Sequence, residues 1–333
     1  MTVLLCGSFW HGSLEESYAR AFETIGWRVV RFDWERRAGE FALSKISFVE
    51  KVARLFIADR VAKELIASLK QEQPDLVLIV KGRTLSADAL LEILRVVKDR
   101  PVVNFNPDSP WDASNRSQRL LETIPLYHAH FTWNKQLVAR FLDAGAKEAH
   151  YLPFAYDPEL HFPVESSACT ADYDAVFVGT YSPERDRVLG TVDRVKIAIA
   201  GNGWERARHI PREWVRSKAL YGEQAIRFLH RGTTAINILR PQNAGSHNMR
   251  TFEIPASAAP MIASRSEEHE TWFRESDEAE YFEDARELSE KIRRLANDPA
   301  HRAALSKNGY ERVREETYAK RAQTMINTVG LAT

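Results

Sequence analysis

The chain has 333 residues, with 46 lysines and arginines balancing 46 aspartates and glutamates. That length is long for one hydrophobic core and comfortable for two, and the balanced charge offers nucleic acid no global attraction. Cys6 and Cys169 lie far apart without metal-ligand spacing, so neither a disulfide framework nor zinc is expected. Apolar runs are strand-sized, which excludes a bilayer span, and Met1–Cys6 is too short and uncharged for a signal peptide. A cytoplasmic enzyme is the expectation.

In chain order, T-V-L-L-C-G from Thr2 predicts a buried strand ending at a glycine, followed by a loop (Ser8–Ser13) and a helix over Leu14–Ile25. Trp27–Phe32 predicts a second strand. A long helical pattern runs from about Ile46 to Lys70, with Val49, Val52, Ala53, Phe56 and Ile57 along one face. Pro74-Asp75 punctuates before the apolar strand Leu76–Val80; Ser86 caps a helix through Val97; Pro101–Phe105 and Phe131–Trp133 are further strands. Strands alternating with helices imply a parallel sheet covered on both faces. Tyr151–Thr170, with Pro153, Pro158 and Pro163, breaks the pattern as a linker. A second alternation follows at Asp174–Gly179, Val195–Ala200, Thr234–Leu239 and Pro260–Ile262, closed by helices near Pro299–Asn308 and Tyr310–Val329.

Ligands of doubly wound sheets sit beyond the carboxyl ends of strands, so the loops there are the candidate site. The densest is Gly245–Met261, G-S-H-N-M-R-T-F-E-I-P-A-S-A-A-P-M, with a helix expected to start near His247. His247, Asn248 and Arg250 in its first turn would join the helix N-terminus in holding an anion, while Glu253 would accept from two hydroxyls. That chemistry suits a nucleoside diphosphate; a merely capped surface helix is the alternative. Gly179, Thr180 and Arg185 after the first strand of the second half offer close approach, a hydroxyl and a bidentate cation. Gly201-Asn202-Gly203 begins a dinucleotide fingerprint, but Arg206 occupies the third glycine position. Trp204 is read as a nucleobase platform or as core.

In the first half, His11 and Gly12 could meet a phosphate or form a plain turn, and Lys81 with Gly82 suits an anion or a solvated loop. N-F-N-P-D-S-P-W-D from Asn104 is fixed by two prolines. Asp108 there could deprotonate an acceptor hydroxyl or cap a helix, and Trp111 could stack on a sugar or fill the domain edge. The basic run Arg206, Arg208, Arg212, Arg216 and Lys218 is read as an anionic-acceptor or membrane patch, or as a solvated helix face. Arg265–Glu287, with ten acids against three arginines, is read as solvated surface around a strand at Glu280–Phe282, with no metal site. Asp172-Tyr173-Asp174 imitates a metal-binding D-x-D but precedes a strand, the wrong end for a donor loop.

The run N-M-R-T-F-E-I-P-A-S-A-A-P-M-I, with E-L-S-E-K-I-R-R-L-A-N-D-P-A-H-R and K-N-G-Y-E-R-V-R-E-E-T-Y-A-K-R after it, resembles the C-terminal half of the CgeB-like glycosyltransferases, which are similar to the group 1 transferases. V-N-F-N-P-D-S-P-W carries a looser likeness. The resemblance implies two Rossmann-like α/β doubly wound domains facing a cleft (GT-B): an acceptor-side domain over 1–160, a nucleotide-sugar domain over 161–315, and a final helix, 316–333, crossing back. It implies hexosyl transfer from a nucleoside diphosphate sugar to a carbohydrate or glycoconjugate acceptor in polysaccharide or glycoconjugate biosynthesis. Tyr221 stands where the family contacts the donor. No cofactor beyond the donor, no metal and no nucleic acid are expected; peripheral membrane contact is not indicated. Retaining relatives pair a glutamate at the place of Glu253 with another eight positions earlier, here Gly245, which leaves inversion with Asp108 as base preferred. Another sugar-nucleotide enzyme (epimerase or hydrolase), a nicotinamide oxidoreductase and a non-catalytic nucleotide-sugar-binding protein are the alternatives.

Overall fold

The computed structural model describes residues 1–39, 48–113, 115–164 and 171–331, the side chains of 48–54 excepted. Ile46, Cys169, the end of the expected linker (165–170) and the side chains of Val49, Val52 and Ala53 fall outside the described residues. The chain divides into two units, Met1–Pro153 with Tyr318–Thr333, and Phe154–Thr317. The first boundary thus lies ahead of the one drawn at 160.

The first unit runs β1 (Thr2–Gly7), α1 (Leu14–Thr24), β2 (Arg28–Asp33), α2 (Trp34–Ala38), α3 (Phe48–Glu72), β3 (Leu76–Val80), α4 (Ala87–Val97), β4 (Val102–Asn106), α5 (Gln118–Thr123), β5 (Ala129–Thr132), α6 (Lys135–Asp143) and β6 (Ala149–Tyr151). Its six strands pair in parallel in the order β2-β1-β3-β4-β5-β6. Every residue of β3 and β4 is buried, as a sheet covered on both faces requires. Short polar side chains start the helices: Ser13, Ser86 and Asn134 accept from the N–H groups of Glu16, Ala89 and Gln136, satisfying donors the first turn leaves free.

The second unit runs β7 (Ala175–Val178), α7 (Pro183–Gly190), β8 (Ile197–Ala200), β9 (Val215–Ser217), α8 (Gly222–Leu229), β10 (Ala235–Asn237), α9 (Arg250–Ala256), β11 (Met261–Ser264), α10 (Glu267–Trp272), β12 (Glu280–Phe282), α11 (Ala285–Asn297) and α12 (Pro299–Val313). Its strands are parallel in the order β12-β11-β10-β7-β8-β9. The last helix, α13 (Tyr318–Thr328), packs in the first unit on α1, with the buried rings of Tyr18 and Tyr318 5.0 Å apart.

Several expected elements shift. Among the described side chains of α3 the buried stripe runs through Ala58, Val61, Leu65 and Leu69, while Phe56 is 72% exposed. Tyr151 ends β6 instead of opening a linker, and Tyr156 bridges to Thr317. The basic run 206–218 forms no helix: it folds as two short 3-10 turns and the edge strand β9. No helix among the described residues is long and apolar enough to cross a membrane.

Candidate functional site

Strand order marks one crevice in each sheet. In the first, connections leave β1 toward β2 on one side and reach β3 on the other; in the second, β7 leads outward through β8 and β9 before β10 returns to its opposite edge. Loops at such a switch point diverge and leave room for a ligand beyond the carboxyl strand ends.

In the second unit two arginines lace these strand ends together. Arg185, on α7, donates to Ile238 O from Nε (3.2 Å) and Nη2 (2.8 Å) and to Thr180 O from Nη1 (2.9 Å). Its guanidinium stands 5.2 Å from the centre of the Phe177 ring and the residue is 7% exposed. Arg250, at the start of α9, donates from Nε to Val178 O (3.2 Å) and pairs with Glu253. Burial first, then the positive charges of Arg240 and Arg250, push the Arg185 pKa down. Guanidinium stays charged at neutral pH, so this is a crowded set of cations that an anion would relieve. Arg185 keeps two of its five N–H groups after its three carbonyl bonds.

Gly179 and Gly201 end adjacent strands. A Cβ on Gly201 would lie 1.9 Å from Gly179 O, so the glycine there serves the packing of strand ends. Thr180 is exposed, whereas Asn202 uses its side-chain oxygen to accept from Ala219 N–H (3.1 Å). Tyr221 precedes α8 and is 36% exposed. Trp204 is core: 3% exposed, it donates from Nε1 to Gly179 O (2.8 Å) and meets Phe177 and Tyr181 edge-on.

The reading of α9 needs correction at its start. The helix begins at Arg250, and His247 ahead of it is fully buried. His247 Nε2 accepts from Phe154 N–H (3.0 Å), which leaves the ring proton on Nδ1 to bond Glu268. Both nitrogens are committed, so His247 is a structural anchor with no donor for a diphosphate. Asn248 and Thr251 cap reciprocally: Asn248 Oδ1 accepts from Thr251 N–H (3.2 Å) and Thr251 Oγ1 from Asn248 N–H (3.2 Å). The Asn248 amide donates to Asn237 Oδ1 (2.8 Å), so this side chain also holds the loop. Glu253 is 3% exposed beneath Arg250.

The acidic stretch is only partly solvated. Glu268 and Glu280 are buried, and Glu280 meets Lys291, Arg294 and His301. Asp172 pairs with Arg231, and Asp174 accepts from Lys196 N–H, leaving D-x-D as a brace ahead of β7.

In the first unit Lys81 Nζ lies 3.2 Å from Asp108 Oδ2, an ion pair between the loops after β3 and β4. Lys81 holds a left-handed backbone (φ 62°), unfavourable for a side-chain-bearing residue. Buried Asn104 steadies that turn, its amide donating to Ile79 O (2.9 Å) and Lys81 O (3.4 Å). Strain held by a buried amide beside an ion pair marks a pre-organised position. The first helix after this loop among the described residues, α5, starts at Gln118, and Ser117 caps it. Trp111 packs edge-on against Phe141 (5.0 Å) under Arg140. His11 is exposed, and Gly12 turns the chain at φ 87°. His11, Gly12 and Lys81, read as donor ligands, belong to the first unit.

Two residues of the second-unit site carry no signal in the sequence. Arg240, after β10, contributes charge to the cluster and takes no side-chain bond among the described residues. His161 lies in the proline-rich segment, its Nε2 3.8 Å from Glu253 Oε1 and its buried Nδ1 without a partner. Burial pushes its pKa down, keeping the ring neutral.

Residues 185–327 match the family described as Glycosyl transferase-like. No curated protein matches the sequence significantly. Among solved structures, sucrose-phosphate synthase from Thermosynechococcus elongatus aligns over 98% of both chains (TM-score 0.71, 13% identity). HepE from Anabaena, solved in complex with UDP-glucose, aligns over 100% of both (TM-score 0.66, 12% identity). The trehalose 6-phosphate synthase of Burkholderia multivorans aligns over 98% of this chain and 96% of its own (TM-score 0.61, 11% identity). The chain therefore has the two-sheet GT-B glycosyltransferase fold, with a glycosyl transferase-like domain over residues 185–327.

Proposed function

We propose that the protein transfers a hexosyl group from a nucleoside diphosphate sugar to a hydroxyl of a carbohydrate or glycoconjugate acceptor, as a CgeB-like enzyme. The observation that carries this reading is the set of Arg185, Arg240 and Arg250, all inside the matched residues 185–327, at the switch point of the second sheet. Arg240 and the two remaining Arg185 donors meet the diphosphate, with the Thr180 hydroxyl and the backbone at Gly179 beside them. Glu253 accepts from the ribose, since a carboxylate offers about four acceptor sites and Arg250 takes only part of them. Neutral His161 flanks that carboxylate.

In transfer, the acceptor oxygen bonds to the anomeric carbon as the carbon–oxygen bond to the diphosphate breaks, and the electron pair leaves with the diphosphate. Fixed cations stabilise that charge without reorganising, so the reaction needs no divalent metal. Asp108 takes the acceptor proton, with Lys81 holding the carboxylate in place. Attack on the face opposite the leaving diphosphate, in one displacement, inverts the anomeric carbon. The place of the second glutamate of retaining relatives is Gly245, at φ 74°, where a glutamate would be strained.

A panel of nucleoside diphosphate sugars with carbohydrate acceptors, read by nucleotide release, tests this. Release should require acceptor and survive chelation, and Asp108→Asn should slow it by about 10²–10⁴-fold with donor affinity kept. Release without acceptor would make the protein a hydrolase, donor binding without turnover a binding protein, and near-normal turnover of Asp108→Asn would remove the base.

A further inference from the structure

A cavity of 380 Å³ opens in the first unit at the carboxyl ends of β1 and β3, the switch point of that sheet. Its size falls in the range of about 300–1,000 Å³ of small-molecule sites. Trp34 and Ala38 of α2, Ile57 and Leu65 of α3, and Leu85 build an apolar wall. Glu15 and Lys81 supply polar groups at the strand ends.

Glu15 is placed with care. It is 8% exposed, and a Cβ on Gly7 would lie 2.4 Å from its Cγ, so the glycine ending β1 makes room for this side chain. Among the described residues its carboxyl takes a 3.4 Å bond from Ser8 N–H and a contribution from its own backbone N–H, and forms no ion pair. A carboxyl this buried retains acceptor capacity that calls for a donor. Burial raises its pKa, with the nearby Lys81 charge opposing. The cations lining the cavity, Lys81 and Arg83, are offset by Glu15 and Glu35, and Lys81 already pairs with Asp108. Nothing there selects an anion, and the wall favours a hydrocarbon surface.

We infer that this cavity binds the acceptor, and that the acceptor is a neutral alcohol carried on an apolar body, such as an alkyl or aryl glycoside. A hydroxyl donates to Glu15, the apolar body lies against Trp34, Ile57 and Leu65, and Lys81 at the rim brings the ligand next to the proposed base Asp108. The assignment of the ligand as acceptor rests on the glycosyl-transfer reading; the site itself does not.

Calorimetry on the full chain, without nucleotide, compares octyl β-glucoside below its micelle concentration with glucose. Octyl glucoside should bind at least about tenfold tighter, because several methylenes leave water. Ala58→Phe, which fills the cavity from α3, should abolish this binding while nucleotide affinity and melting temperature stay near wild type. If Ala58→Phe does not fold, Ile57→Trp serves the same purpose. Glu15→Ala should weaken binding of both sugars by about tenfold, the loss of a hydrogen bond to a charged group. Equal affinity for glucose and octyl glucoside, no binding of either, or binding that survives the filled cavity would overturn the inference. Failure of nucleotide to bind in its own titration would instead strike the transfer reading.

Discussion

At the switch point of the second sheet three arginines gather, and two of them donate to the carbonyls that end β7 and β10. At the switch point of the first, one lysine–aspartate pair stands beside a cavity with an apolar wall. Topology puts a crevice in the same place in both sheets, and says nothing about what enters it. The side chains decide: cations held by backbone carbonyls call for an anion, while a hydrocarbon wall with one buried carboxyl calls for an alcohol on an apolar body. The proposed division of donor from acceptor chemistry rests on that contrast.

The strongest way to break the contrast is Arg185→Ala. It leaves Thr180 O and Ile238 O without their donors, so the second unit should lose about 2–4 kcal/mol of stability along with nucleotide affinity. Arg185→Lys should rescue only part, because one ammonium cannot span both carbonyls. Chemical denaturation of the two variants checks this, and wild-type stability in Arg185→Ala would show that the brace is dispensable.

Arg240 sharpens the same comparison from the other side. It makes no side-chain bond among the described residues, so Arg240→Ala should weaken nucleotide binding by about 1.5–3 kcal/mol and leave melting unchanged. Arg185 would then be brace and charge together, Arg240 ligand alone.

Acid tests what the two units share. Buried His130 in the first and His269 in the second have pKa values pushed down to about 4, chiefly by burial. Each is neutral in the fold, whereas the unfolded chain takes up a proton near 6.5. Their stabilising contribution is therefore full above pH 6.5 and falls as pH drops toward 4, by about 1.4 kcal/mol per pH unit for each histidine. Denaturation between pH 7 and 4.5 reads this directly. His130→Phe should flatten the slope by one histidine's share, and an unchanged slope would show that the ring is not held neutral.

The smallest expected effect is Lys81→Met. The pair with Asp108 is part-exposed, so stability should change by less than about 1 kcal/mol. Turnover should nevertheless fall, because the carboxylate loses the cation that holds it in place. Wild-type turnover would leave Lys81 as a bystander.

Local sequence carried much of the fold. β3 and β7 are unbroken apolar runs, and Ser86 caps α4 where the pattern begins. Elements with a weaker signature were hidden: α6 offers only Leu137 and Phe141 to the core, and β9 lies in a basic run that imitates a helix face. The site was legible as a region but not in its roles. Neighbours in sequence suggested that His247 and Arg250 act together, yet His247 is committed by Glu268 and Phe154, both distant in the chain. Asn248 exchanges bonds with Thr251 three residues on, and this cap competes with ligand binding for the same side chain. Arg240, His161 and Glu15 acquire meaning only from tertiary neighbours: the other arginines, Glu253, and the cavity behind Gly7.

Both proposed halves of the chemistry depend on the arginine cluster holding a nucleoside diphosphate. Calorimetric titration of UDP and UDP-glucose into the wild-type chain and Arg240→Ala, in the presence of a chelator, measures this. Saturable one-to-one binding to the wild type, weakened at least about tenfold in a variant of unchanged melting temperature, is the predicted result. Equal affinity in both proteins, or no binding to the wild type by any of the common nucleoside diphosphates, would contradict it.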